Sequence, residues 1–87
     1  MLSELKTKSK VIGVKQSLKA VKAGRAERVY FAGDADPALL APIQAQCESD
    51  GICITSVESM AVLGQACGIE VGAAVAVLLK EETICPH

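Results

Sequence analysis

Residues 73–79, Ala-Ala-Val-Ala-Val-Leu-Leu, form an apolar run rich in valine, with no polar side chain. Side chains of a strand alternate between the two faces of its sheet. A run with no polar position therefore reads as a central strand covered on both faces. The remaining segments look able to supply that cover. Helical and strand patterns alternate along the chain, which points to a three-layer α/β/α sandwich around a four-stranded mixed sheet. Eighty-seven residues suit one domain, 1–87. No internal repeat, low-complexity stretch or linker interrupts it.

Lys10-Val11-Ile12 is a brief β-branched run that stops at Gly13. A helix is expected from about Lys15 to Ala23, because Val14, Leu18 and Val21 recur at helical spacing. Gly24 sits where a left-handed C-terminal residue is wanted. Residues 28–32, Arg-Val-Tyr-Phe-Ala, read as a strand. In a helix begun at Pro37, Pro42 would cost about 3 kcal/mol. Residues 37–40 are therefore expected to be a turn or a short 3₁₀ piece, with the helix starting near Pro42 and ending at Gly51. Ile43 and Cys47 would give it an inward row. Ile52 to Val57 is the next strand. Ser59 is a candidate N-cap for a helix carrying Met60, Leu63, Ala66 and Cys67, stopped by Gly68. Residues 2–8 suggest a further short helix with Leu2 and Leu5 inward.

Charge is unevenly placed. Eight of the nine basic residues precede position 29, against two acids there, a net +6; the remainder has one base and eight acids, a net −7. One strongly positive end suits a polyanion. With one Tyr, one Phe and no Trp, the core must be aliphatic. That composition argues against folds that stack RNA bases on surface aromatics. No apolar run reaches about 18 residues, so no membrane span is indicated. The start lacks the apolar region of a signal peptide, and a cytoplasmic location is expected. Cys47, Cys53, Cys67 and Cys85 form no Cys-x-x-Cys pair and read as small hydrophobes. Cys85-Pro86-His87 is too weak a ligand set for a metal site. No metal, no cofactor and no catalytic arrangement is read. Asp34 and Asp36 suit a turn through side-chain-to-backbone bonds, and Glu81-Glu82 a solvated tail.

Two segments could carry recognition. In the first, Gly13 ends a strand and opens a helix, so backbone N–H groups there can meet phosphates. Lys15 and Gln16 project from the first turn, where they could read guanine edges, while Lys19 and Lys22 hold the backbone. Lys15, Lys19 and Lys22 share a helical face, which equally describes a solvated flank. The second is the loop after Gly68, where Ile69 and Val71 lie between two glycines. They either tuck into the core or form an apolar ledge for an unstacked base.

Three segments together resemble the small kink-turn-binding ribosomal proteins of the L7Ae family, most closely its short bacterial branch. They are residues 11–19, Val-Ile-Gly-Val-Lys-Gln-Ser-Leu-Lys; residues 32–37, Ala-Gly-Asp-Ala-Asp-Pro; and residues 63–69, Leu-Gly-Gln-Ala-Cys-Gly-Ile. The resemblance spans nearly the whole chain. It implies an α/β/α domain that binds a kink-turn, a bent RNA duplex with a short bulge beside tandem sheared G·A pairs. It also implies that the helix tip at Gly13 and Val14 enters the kinked groove, that Lys15 and Gln16 contact guanines with Lys19 nearby, and that Ile69, Glu70 and Val71 pack on the bulge. Where the archaeal and eukaryotic branches carry Asn-Glu, this chain has Lys15-Gln16, as the bacterial branch commonly does. Val14 and Ser17 stand where that branch often has threonines, Gln65 where a base is frequent and Gly33 where glutamate is frequent. These departures bear on affinity more than on mode.

The expectation is a non-catalytic, monomeric, ribosomal-protein-like binder of structured RNA, with the ribosome as a candidate partner. The rivals are a protein-interaction module using the acidic portion, and the RNA-recognition partner of a modifying enzyme acting in trans.

Overall fold

The structure, a computed structural model, describes residues 9–80. The expected helix at 2–8, the acidic pair Glu81-Glu82 and the Cys85-Pro86-His87 segment lie outside them. The elements run β1 (Lys10–Ile12), α1 (Val14–Lys22), β2 (Ala26–Ala32), α2 (Pro37–Asp50), β3 (Ile54–Val57), α3 (Met60–Cys67) and β4 (Val75–Leu79).

The sheet order is β1-β4-β2-β3. β4 is antiparallel to both neighbours, pairing Val11 with Val77 and Val29 with Val77, while β2 and β3 are parallel. The sheet is therefore mixed, and the apolar run lies in its interior. All five β4 residues are buried, which requires cover on both faces. α1 and α2 pack side by side, and α3 packs separately against β2, β3 and β4. This is the three-layer sandwich expected from the sequence. Tyr30, Ile43, Leu63, Leu78 and Val21 are its largest fully buried side chains.

Pro42 does not start α2. The helix begins at Pro37 and carries Pro42 inside it. Proline forfeits one backbone hydrogen bond and crowds the carbonyl four residues back. Three gains offset that. The Asp36 carboxylate accepts from the Ala38 N–H at 2.9 Å as the N-cap, Pro37 occupies the favoured first position, and Leu40, Ile43 and Cys47 are buried in one row. The β2 strand starts earlier than expected, at Ala26, and β3 later, at Ile54. Gly24, Gly51 and Gly68 close the three helices with φ of 73°, 69° and 80°, the left-handed geometry in which glycine avoids a Cβ clash.

Candidate nucleic-acid interface

The directions of the strands bring the carboxyl ends of β1, β2 and β3 to one edge of the sheet, beside the start of β4. Ligands of open α/β sheets commonly bind outside such an edge. Both candidate segments arrive there. Gly13 leaves β1, and its N–H donates to the Val75 carbonyl at 3.2 Å. The 69–71 loop leads into β4 from the other side.

Gly13 has φ 102° and ψ 154°, a region essentially reserved for glycine. A Cβ there would meet nothing within 4 Å, so conformation rather than packing calls for glycine. The first bond of α1 then runs from the Ser17 N–H to the Gly13 carbonyl at 2.9 Å. No side chain caps this helix, and its first turn holds no acid. The other two helices are capped by Asp36 and Ser59. The first turn of α1 carries Lys15 instead, a charge opposed by the positive end of the helix dipole. An anion placed at this start would meet free N–H groups, the dipole and a cation together.

Lys15, Gln16 and Lys19 are exposed, whereas Val14 is half-buried and packs against the core. Ser17 turns inward and is fully buried, its Oγ without a hydrogen-bond partner. Gln16 and Lys19 share a shallow groove with Val11, Ala20, Ala23 and Arg25. Lys22 faces a different hollow at the far end of α1, with Gly24, Asp50, Ile52 and Lys80. The lysine face read from the sequence thus divides between two places.

The loop is held by glycines. It runs back along α3, with the Ile69 N–H bonded to the Gly64 carbonyl and the Ala73 N–H to the Met60 carbonyl, both at 3.0 Å. A Cβ on Gly64 would collide with the Val71 carbonyl oxygen, and one on Gly72 would press on the Met60 Cβ at 3.1 Å. The backbone is fixed by contact, while the side chains diverge. Ile69 is half-buried against the core, Glu70 is exposed, and Val71 is 70% exposed. Neither of the two sequence alternatives describes both residues: one faces partly inward and one outward.

Asp34 does more than serve a local turn. Its carboxylate accepts from the Met60 N–H at 2.7 Å, across 26 residues, and ties the loop after β2 to the start of α3. Gly33 is equally tight, its N–H on the Val57 carbonyl at 2.7 Å, with no side chain to offer a ligand. Gly64 and Asp34 position the site, and neither announced that role by spacing. Among the described residues no group of three His, Cys, Asp or Glu side chains could hold a metal ion. Nor is any helix among them long and apolar enough to cross a membrane.

An open mixed sheet with an uncapped basic helix start and a clamped apolar loop at one edge defines a small α/β/α domain with a candidate ligand face at its strand ends. The chain belongs to the ribosomal protein L7Ae/L30e/S12e/Gadd45 family, whose profile matches residues 2–85. It is 49% identical over 70 residues to an RNA-binding protein of Bacillus pumilus, covering 79% of this chain and 85% of that one. An RNA-binding protein of Geobacillus thermodenitrificans is 43% identical over 70 residues, covering 80% and 85%. Among solved structures, the Giardia lamblia 15.5kD RNA binding protein superposes with a TM-score of 0.86 at 31% identity, over 93% of this chain and 72% of that one.

Proposed function

We propose that this chain is a non-catalytic, monomeric, cytoplasmic RNA-binding protein that recognises kink-turn elements of structured, ribosomal-type RNA. Family membership and relatives named as RNA-binding proteins support the broad reading. The observation that carries the finer one is the start of α1, where a glycine-only turn leaves the first N–H groups without a side-chain cap beside Lys15 and Gln16.

A regular A-form major groove is too deep and narrow for side chains. A helix tip enters only where the duplex is bent open, as at a kink-turn. There Lys15 can donate to the O6 and N7 acceptors of guanine, and Gln16 can make paired hydrogen bonds to a base edge. Lys19, one turn further along, contacts phosphate. Val71 covers the unstacked bulge nucleotide, with Ile69 supporting the loop from beneath and Glu70 at its rim. The clamp at Gly64 keeps this ledge in place without spending side chains on it.

Two substitutions test the division of labour. Lys19→Ala weakens all RNAs alike and flattens the dependence of log K on log salt by about 0.7–0.9. Gln16→Ala erodes the preference for the G·A-containing motif by about 1–3 kcal/mol. Equal loss on a kink-turn and on a plain duplex would refute the role of Gln16.

A further inference from the structure

The far edge of the sheet gathers charge that the sequence separates. Lys80 is the only base after position 28. The structure brings it back to the basic portion, its N–H donating to the Arg25 carbonyl at 2.8 Å. Lys80 and Lys22 line one hollow around the turn that follows α1, and Arg25 lines the groove on the other side of that turn. All three side chains are exposed. No carboxylate among the described residues makes an ion pair with any of them. The one acid in the hollow, Asp50, is engaged by the Gln46 side chain at 3.0 Å. About 13 Å of helix separates Lys22 from the Gly13 tip, and Arg25 lies in the groove shared with Gln16 and Lys19.

We propose that Lys22, Arg25 and Lys80 form a second RNA surface that grips the phosphate backbone of a duplex segment outside the kink. The surface is shallow and cationic, and among the described residues it carries no aromatic or large exposed apolar anchor. Protein interfaces concentrate their energy in such anchors, whereas repeated phosphates need only spaced cations. The groove holding Gln16, Lys19 and Arg25 connects it to the tip, so one bent RNA can lie along both. The proposal deepens the RNA-binding reading and rests on it for the choice of ligand, but it does not require the tip to recognise G·A pairs.

The test compares the double variant Arg25→Gln, Lys80→Gln with Gln16→Ala, on a long uninterrupted RNA duplex and on a minimal kink-turn with short stems. Both glutamines keep the backbone bond between the two positions, and an unchanged unfolding midpoint verifies the fold. For two lost phosphate contacts, duplex affinity should fall roughly 25- to 60-fold at 0.1 M salt, with the salt dependence flattened by about 1.4–1.8. The minimal kink-turn should lose affinity by a clearly smaller factor, because its short stems meet Arg25 at most, through the groove shared with Gln16 and Lys19, and not Lys80. Asp50→Asn should tighten duplex binding, and Gln16→Ala should lower kink-turn affinity by a larger factor than duplex affinity. Unchanged duplex affinity and salt dependence in the double variant would overturn the proposal, as would equal loss on both RNAs. Poly-glutamate binding as tightly as duplex, and lost in the same variant, would assign the surface to an acidic protein and overturn it too. A duplex arm that behaves as stated beside a wild type without kink-turn preference would defeat the tip reading and leave this surface standing.

Discussion

The N–H of Gly13 donates to the carbonyl of Val75, joining the helix tip to the strand that follows the apolar loop. The two parts of the candidate site, more than 50 residues apart in sequence, are thereby set side by side on the backbone itself. Their relative position depends on β1 pairing with β4 and not on flexible side chains.

Gly13→Ala should test that junction. There is room for the Cβ but the φ of 102° is hostile to it. The expected destabilisation is about 1–3 kcal/mol in urea unfolding. RNA affinity should fall as well, since relaxing the turn moves the start of α1.

Gly64→Ala sets two effects against each other. Alanine favours a helix interior by up to about 1 kcal/mol. Its Cβ, however, would strike the Val71 carbonyl, and backbone cannot yield as a flexible side chain does. The clash should win, with a net loss of about 1–3 kcal/mol by urea unfolding and a displaced loop. An unchanged or raised stability would contradict the clamp.

Val71→Ser separates binding from folding at the same loop. The side chain is 70% exposed, so stability should stay within about 0.5 kcal/mol. Covering it with a base gains apolar burial, and its loss should weaken kink-turn binding by about 1 kcal/mol, roughly fivefold. Calorimetric titration of the two proteins measures the difference.

The sheet core and the helix ends were legible because each rests on local chemistry. The valine-rich run 73–79 reads as a strand covered on both faces, and its last five residues form β4; Gly24, Gly51 and Gly68 stop helices by conformation. The misread start of α2 weighed a local cost, Pro42, without the burial of Leu40, Ile43 and Cys47 that offsets it. The Asp34–Met60 bond, the Gly64–Val71 contact and the return of Lys80 to Arg25 were invisible for another reason. Each joins segments that only the folded topology brings together. In the site, Lys15 and Gln16 could be placed at a helix start from spacing alone, but the split of Ile69 inward and Val71 outward required the path of the loop along α3.

Alkaline pH should loosen the core through two thiols. Burial pushes the pKa of Cys47 up, with Asp50 adding to it; burial likewise raises that of Cys67, with Lys10 opposing in part. A folded-state pKa above the unfolded one favours the protonated fold. That stability is complete below the ordinary thiol value of 9.0 and is lost as pH rises through the folded values. Thermal midpoints should therefore fall above about pH 9 and recover part of that loss in a Cys47→Ala, Cys67→Ala protein when each is compared with its own neutral value. At neutral pH, exposed Cys53 should react with a maleimide well before the two buried thiols.

The most direct measurement is titration of the wild-type protein into a fluorescent kink-turn RNA and into the same RNA with its G·A pairs replaced, at two salt concentrations. Both affinities should fall as salt rises, and the intact kink-turn should remain the tighter ligand at each concentration. Equal binding of the two RNAs would contradict kink-turn recognition at Lys15 and Gln16, and would leave the fold and its basic surfaces as they are.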